Sequence, residues 1–224
     1  MRFPPLSRTS VTSSPPRFSA HDLACQRGDR LIFRGVEFAL AAGGALILRG
    51  PNGSGKSSLL RVLAGLTPSL RGALRWDGGD IAEDWPAHRA RLHFIGHLDP
   101  LKAVLTVAEM LAFWSGLRGG SPQAAAKALD RFHLAELADL PCRFLSAGQR
   151  RRLSLARLTA SPASLWLLDE PTVGLDEAST SDLFAVIGEH RTAGGLVIAA
   201  THVTLALEGA QSLPMDAFAP GRTA

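Results

Sequence analysis

A glycine-rich stretch with a single lysine carries the strongest chemical signal in the sequence. It fits the pattern G-x-x-x-x-G-K-[ST], is followed by Ser58, and consists of Gly50, Pro51, Asn52, Gly53, Ser54, Gly55, Lys56 and Ser57. Glycines let backbone N–H groups surround phosphate oxygens without a Cβ clash, and a helix after the loop adds its positive N-terminal end. Lys56 can reach the β- and γ-phosphates of a nucleotide, and Ser57 can ligate Mg²⁺. The stretch, with Ser58, therefore predicts a nucleotide-binding phosphate loop.

Two adjacent carboxylates, Asp169 and Glu170, form the second signal. They follow four apolar residues, 165–168, which predict a buried strand. Open α/β sheets bind their ligands at the carboxyl ends of the strands. Asp169 is suited to hold Mg²⁺, directly or through water, and Glu170 is suited to polarise an attacking water molecule. The pair therefore predicts hydrolysis of the bound nucleotide.

A short segment ahead of three arginines is the third signal. It consists of Leu145, Ser146, Ala147, Gly148 and Gln149, and it leads into residues 150–152. Ser146 in front of a predicted helix is suited to cap that helix, and helix N-termini also attract anions. Residue types alone leave two interpretations open: an anion site, or a capped helix with a solvated basic face.

The elements that must position these residues alternate between strand and helix. Strand patterns cover residues 31–33, 36–40, 45–48, 72–76, 92–95, 165–168 and 196–200. Helix patterns cover residues 57–66, 106–117, 122–138, 146–158 and 179–189. The alternation predicts an α/β fold with a mainly parallel sheet, interrupted by a helical insertion.

The composition excludes several classes of protein. The 224 residues are 46% hydrophobic and 20% charged, which suits a folded chain with a sizeable core. Since the sequence has no apolar run of about 18 residues, a partner would have to supply any membrane span. Net charge is +4, and all basic residues except Lys56, Lys102 and Lys127 are arginine. This bias is attributed to genome composition, so no nucleic-acid partner is predicted.

The first 19 residues differ from the rest of the chain. Residues 1–19 are rich in proline, serine and arginine and contain no apolar core typical of a secretory signal. They predict a disordered tail, or a start codon placed too early. Residues 20–224 then form one predicted nucleotide-binding domain.

The motifs, taken in order, resemble those of the ATP-binding-cassette (ABC) ATPases over residues 20–205. The phosphate loop comes first and LSAGQ second, followed by LLDEP, by Gly174-Leu175-Asp176 and by Thr201-His202. The resemblance implies a P-loop ABC core with a mixed or parallel sheet, an antiparallel β subdomain and an inserted helical subdomain at about 98–145. It also implies ATP and Mg²⁺ as ligands.

The same resemblance implies a head-to-tail homodimer with two ATP molecules at its interface. Ser146 and Gly148 would contact the γ-phosphate that the other subunit holds with Lys56. Asp176, in the segment resembling the D-loop, would cross the same interface. His202 would touch the γ-phosphate and help hold the attacking water.

The sequence departs from the general ABC pattern at two places. His97 stands where the family has the glutamine of the Q-loop, and the charge of histidine can change near neutral pH. The aromatic residue that stacks on adenine is not evident. The corresponding region, residues 25–30, offers Arg27 and Arg30, and a guanidinium can stack on a base.

At these and a few other positions the sequence resembles the cytochrome c biogenesis ATP-binding export protein family (the CcmA, or haem exporter, family). The features are the pattern Cys25-x-Arg27-x-x-Arg30-x-x-Phe33, Gly96-His97, residues 101–109 and Phe113-Trp114. The resemblance implies a translocase ATPase at the cytoplasmic face of the bacterial inner membrane. Its partners would be an integral membrane subunit of the CcmB type, docked on the helical insertion, and a wider cytochrome c maturation complex. Haem export and release of a haem-loaded chaperone both stay open.

Three other functions compete with this interpretation. An ATPase of an unrelated small ABC exporter would share the core motifs. A soluble ABC protein of translation or DNA repair would resemble tandem cassettes or carry a long coiled-coil insertion, for which 224 residues leave no room. A P-loop nucleotide kinase leaves LSAGQ unexplained.

Overall fold

The computed structural model of the chain describes residues 16–201 and 207–220. The strands are β1 (Phe18–Arg27), β2 (Arg30–Leu40), β3 (Ala45–Arg49), β4 (Arg71–Trp76), β5 (Gly79–Asp80), β6 (Leu92–Ile95), β7 (Leu165–Asp169), β8 (Leu196–Ala200) and β9 (Gln211–Pro214). The α-helices are α1 (Lys56–Leu63), α2 (Trp85–Ala90), α3 (Val107–Gly116), α4 (Pro122–Arg131), α5 (Ala147–Ala160) and α6 (Glu177–Thr192). Short 3-10 turns cover Ile81–Glu83, Ala135–Leu137, Cys142–Phe144 and Met215–Phe218.

The strands form two sheets. The order β2-β1-β4-β5 makes an antiparallel sheet, and the order β6-β7-β8-β3-β9 makes a sheet whose pairs are all parallel. Strand β8 lies between β3 and β7, so the phosphate loop after β3 and the carboxylates at the end of β7 share one edge. The α/β class predicted from strand–helix alternation agrees with this architecture.

Both faces of the parallel sheet are buried, which explains the uninterrupted apolar runs in its strands. Along β7, Leu165 and Leu167 pack toward α1 and the antiparallel sheet, whereas Trp166 and Leu168 pack toward the helices of the other face. Successive side chains of a strand point to opposite faces, so one short strand joins two cores. The sheet edge that carries the predicted site residues is therefore anchored from both sides.

The helical insertion begins and ends with defined caps. Thr106 and Glu109 form a capping box at the start of α3, and Ser121 caps α4, where Pro122 occupies the first turn. The helix predicted over residues 122–138 is longer than the helix in the structure, because α4 ends at Arg131. His133 has a φ of +53°, and this turn buries both Phe132 and Leu134.

Several other predicted boundaries differ from the structure. The predicted tail, 1–19, extends too far, because Phe18 is fully buried in β1 against β2 and β4. The strand patterns at 31–33 and 36–40 are one strand, β2. Helix α1 stops at Leu63 rather than residue 66, since the chain turns through Gly65 at a φ of +66°. No sequence pattern predicted β1, whose pairing crosses several register shifts.

Within the described parts of the chain, no helix has both the length and the apolar character needed to cross a membrane.

Candidate nucleotide site

The phosphate loop runs from the end of β3 into α1 and depends on glycine at its two ends. Gly50 has a φ of +138°, and a Cβ there would meet Ser54 Oγ at 2.8 Å. Gly55 has a φ of +97°, and a Cβ there would meet Ile32 Cγ2 at 3.0 Å. Both φ values lie where side chains are disfavoured, so the loop needs glycine for its conformation as well as for its space.

Lys56 is the first residue of α1 and folds back over the loop. Its Nζ donates to the carbonyl oxygens of Gly50 at 2.7 Å and Pro51 at 3.1 Å. The residue is 6% exposed, although its ammonium group faces the loop rather than a carboxylate. The positive charge is thus held against two backbone carbonyls of the loop where phosphate oxygens are expected.

Ser57 connects the loop to the end of β7. Its Oγ donates to Asp169 Oδ1 at 3.1 Å across 112 residues of sequence, and Asp169 is 3% exposed. A hydroxyl and a carboxylate oxygen at this distance are hard oxygen donors of the kind that Mg²⁺ prefers. The two predicted metal ligands are therefore neighbours in the structure, and their chemistry fits the ion.

Glu170 follows Asp169 in a strained conformation. Its φ is +47°, and its backbone N–H donates to the carbonyl oxygen of Ala200 at 2.9 Å. Left-handed backbone is uncommon in residues other than glycine and often accompanies functional sites. Glu170 is one of the residues that line the cleft around Lys56.

His97, at the predicted Q-loop position, lies beside the predicted metal ligand. Its Nδ1 is 3.9 Å from Asp169 Oδ2, and its side chain is 70% exposed. The residue lines the same cleft as the phosphate loop. A polar side chain is therefore present where the resemblance predicted one.

The cleft around these residues has a volume of about 410 Å³. Its lining continues from the phosphate loop, including Ser57 and Ser58, to Arg27, Arg30 and Ile32 of the β1–β2 hairpin. Within the described lining, the hairpin contributes two guanidinium groups and no aromatic ring. The antiparallel sheet therefore forms one wall of the cleft, opposite the end of β7.

The predicted signature segment lies outside that lining and forms the start of α5. Ser146 Oγ accepts from the Gln149 N–H at 3.2 Å, and Gln149 Oε1 accepts from the Ser146 N–H at 2.7 Å. This capping box confirms the prediction that Ser146 caps a helix. Leu145 is buried, whereas Ser146 and Ala147 are exposed, so the helix N-terminus is presented to the outside.

Asp176 has a local structural role. Its carboxylate accepts from the Ser179 N–H at 2.8 Å and caps α6. The hydrogen bonds from the Ser179 backbone and hydroxyl lower the pKa of Asp176. The preceding turn lies against the signature segment, because a Cβ on Gly148 would lie 3.2 Å from the carbonyl oxygen of Gly174. His202, the remaining predicted catalytic residue, lies outside the described residues.

The sequence analysis missed Arg151. This residue is 5% exposed and hydrogen-bonds to the ends of β6 and β7. Its position was a usable signal: Arg151 lies four residues before Leu155 and therefore on the buried face of α5. A charged residue on an apolar helix face requires specific partners.

Fold and site together define an ATP-binding cassette protein, and comparison with known proteins agrees. The family described as ABC transporter matches residues 33–173. A solved ABC transporter ATP-binding protein from Pyrococcus furiosus superposes with a TM-score of 0.79 at 22% identity, covering 90% of this chain and 98% of that one. The dimeric, ADP- and phosphate-bound ATP-binding cassette MJ0796 superposes with a TM-score of 0.74 at 21% identity. The match covers 83% of this chain and 88% of that one. These likenesses confirm the predicted fold.

Relatives with higher sequence identity show to which group of ABC proteins the chain belongs. A protein of Paramagnetospirillum magneticum described as cytochrome c biogenesis ATP-binding export protein CcmA is 55% identical over 210 residues, 92% of this chain and 97% of the relative. The protein of that description in Rhodospirillum rubrum is 52% identical over 216 residues, covering 96% and 93%. The chain belongs to the CcmA family of ABC ATPases.

Proposed function

We propose that this chain binds Mg-ATP and hydrolyses it as the ATPase subunit of a membrane complex for c-type cytochrome biogenesis. The observation that carries the proposal is the hydrogen bond between Ser57 and Asp169, which joins the phosphate loop to the predicted hydrolytic carboxylates. The biogenesis role is supported by the descriptions of the relatives that are 55% and 52% identical.

The chemistry needs positioning and charge neutralisation more than covalent participation by the protein. Loop N–H groups and the N-terminus of α1 hold phosphate oxygens, and Lys56 turns its ammonium group from loop carbonyls to the β- and γ-phosphates. Ser57 and Asp169 would hold Mg²⁺, and the ion would supply positive charge beside the phosphate oxygens. Glu170, which is one of the residues lining the cleft, orients the attacking water. We assign His202 to the γ-phosphate on the family resemblance.

A second copy of the chain completes the site in this proposal. In a head-to-tail homodimer, the exposed start of α5 would face the phosphate loop of the partner. The N–H groups near Ser146 and Gly148 would then meet the γ-phosphate at a helix N-terminus. Asp176 would lie at the same interface. Closure of the dimer on ATP provides the conformational change that a transporter can use.

The proposed membrane partner, an integral subunit of the CcmB type, docks on the 98–145 insertion. Large apolar side chains are exposed there: Leu98 at 72%, Val104 at 74%, Leu117 at 69%, Phe144 at 61% and Phe113 at 44%. Neighbouring Trp114 instead packs against the core, under the guanidinium of Arg157 at 4.6 Å. Exposed apolar side chains mark an interaction surface where they form one contiguous patch, and the proposed docking requires such a patch here. Docking of this kind would place the chain at the cytoplasmic face of the bacterial inner membrane.

The test is a haem stain of c-type cytochromes in host cells that make the Glu170→Gln variant in place of the native protein. We expect mature c-type cytochromes to be lost while the variant stays abundant and membrane-associated. Glu83→Gln, which changes an exposed carboxylate in the 3-10 turn after β5, is the matched control and should leave the cytochromes normal. Normal cytochromes with Glu170→Gln would favour the second candidate, an unrelated small ABC exporter, which shares every motif of the cleft.

A further inference from the structure

The guanidinium group of Arg151 joins three segments that are far apart in sequence. It donates to the carbonyl oxygens of Gly96 at 2.8 Å, Asp169 at 3.0 Å and Glu170 at 2.8 Å, and to Asp99 Oδ1 at 3.3 Å. The side chain is 6% exposed and that of Asp99 is 20% exposed. A buried guanidinium is costly unless its N–H groups have acceptors, so this arrangement holds its acceptors firmly in place.

The acceptors belong to the elements that control hydrolysis in the proposed function. Asp169 and Glu170 end β7, whereas Gly96 and Asp99 flank His97 at the entrance to the helical insertion. Arg151 itself belongs to α5, the helix that Ser146 begins. A side chain of α5 therefore contacts both the end of β7, with its proposed hydrolytic carboxylates, and the segment around His97.

The contact with Glu170 bears on the direction of its carboxylate. The carbonyl oxygen of Glu170 accepts from Arg151 and, at 3.2 Å, from the Val173 N–H, while the backbone φ is +47°. A strained backbone persists only where its surroundings hold it. Without Arg151, this carbonyl would keep the N–H of Val173 as a donor, so the peptide would be held less firmly. A small displacement of a catalytic group is enough to slow a reaction severely.

We propose that Arg151 is a positioning residue that makes the orientation of Glu170 depend on the Gly96–Asp99 segment and on α5. A shift of the helical insertion then reaches the hydrolytic carboxylate through the guanidinium, without any contact between the insertion and the nucleotide. The inference rests on the proposed role of Glu170 in ATP hydrolysis.

The experiment measures ATP binding and hydrolysis separately on the purified full chain. Single-turnover hydrolysis of radiolabelled Mg-ATP, with protein in excess, follows the chemical step, and equilibrium binding of the same nucleotide gives Kd. For Arg151→Met we expect hydrolysis slower by about 10- to 100-fold and a Kd within about threefold of the native value. Arg151→Lys should be intermediate, since an ammonium group has fewer donors and no planar fork.

Arg150→Met is the matched control, because Arg150 is the half-buried neighbour on the same helix. It should hydrolyse ATP at the native rate. Thermal unfolding of each variant identifies loss of the fold. If Arg151→Met is unfolded, Arg151→Lys and Asp99→Asn replace it, and both must slow hydrolysis with little change in Kd.

The outcomes separate the inference from the proposed function. Native protein that hydrolyses ATP no faster than Glu170→Gln overturns the proposed function and the inference with it. Native protein that exceeds Glu170→Gln, together with folded Arg151→Met at the native rate, overturns the inference alone. A parallel loss of ATP binding and hydrolysis in the Arg151 variants also overturns it, because Arg151 would then support the whole site rather than Glu170.

Discussion

Lys56 Nζ donates a hydrogen bond of 2.7 Å to the carbonyl oxygen of Gly50, at the opposite end of the same loop. The ammonium group thus braces the two ends of the loop across the space that phosphates are proposed to enter. Its three protons can be redirected from carbonyl to phosphate oxygens without any backbone movement, because the side chain already lies over the loop.

Removal of this ammonium group is expected to abolish useful nucleotide binding. Lys56→Ala should weaken ATP binding by at least about 30-fold, since the phosphate charge loses a directly opposed cation in a partly buried site. Titration with a fluorescent ATP analogue measures the effect. Lys127→Ala, an exposed lysine of α4, should bind as the native protein does. Unchanged affinity in the Lys56 variant would contradict the assignment of the loop.

The signature segment is expected to act on the site of the other subunit. Ser146→Arg places a long side chain at the exposed start of α5, where it should block approach of the partner's nucleotide. A mixed dimer of native and Ser146→Arg subunits should therefore lose hydrolysis at one of its two sites, measured with a Glu170→Gln substitution in either subunit to silence one site at a time. Equal loss at both sites would argue against the head-to-tail arrangement.

Arg30 is expected to bind the nucleotide base rather than the phosphates. It lines the cleft from the β1–β2 hairpin, where a guanidinium can stack on a purine. Arg30→Ala should weaken ATP binding by about three- to tenfold, a magnitude typical of cation–π contacts, and should change binding of inorganic tripolyphosphate much less. Competition assays measure both ligands, with exposed Arg34→Ala of the same strand as the control. An equal loss for both ligands would instead indicate general electrostatic attraction.

His93 makes the stability of the fold depend on pH. The residue is 1% exposed, its Nε2 lies 3.1 Å from the carbonyl oxygen of Ser161, and burial lowers its pKa to about 4. The unfolded chain, with a histidine pKa of about 6.5, then binds more protons than the folded chain between these values. The contribution of His93 to the free energy of unfolding should therefore be fully present above about pH 6.5. It should fall by about 2 kcal/mol between pH 7 and pH 5.

Urea unfolding of the native protein and of His93→Gln at pH 7 and pH 5 tests this dependence. The variant should lose less stability on acidification by about that amount. His190, whose pKa burial also lowers to about 4, should still contribute in the same direction. His21→Gln, with a half-exposed side chain, is the control. The same acid destabilisation in the native protein and in His93→Gln would refute the assignment to His93.

The site residues that sequence analysis predicted are mainly those carried on contiguous segments. The glycines, lysine and serines of the phosphate loop lie within residues 50–57, and Asp169 and Glu170 stand at the end of the apolar strand β7. Such arrangements can be predicted from the spacing of residues, because the strand or helix that positions the residues is adjacent to them in sequence. The helix cap at Ser146 belongs to the same class.

Residues whose partners are distant in sequence became evident only in the folded chain. Strand β1 escaped prediction because register shifts disturb its alternation, yet it brings Arg27 into the nucleotide cleft. Helix α4 ends at Arg131, where the chain turns and buries Phe132 and Leu134. Local helix propensity cannot predict this end, because it depends on tertiary packing.

Residue types and spacing along the chain were sufficient for the α/β class, the phosphate loop and the pair Asp169–Glu170. Tertiary structure alone placed β8 between β3 and β7, joined Ser57 to Asp169 and gave Arg151 its acceptors on two strand ends. The physical reason is that periodicity and turn chemistry act within a few residues, whereas hydrogen bonds between distant segments depend on how the sheet is ordered and packed.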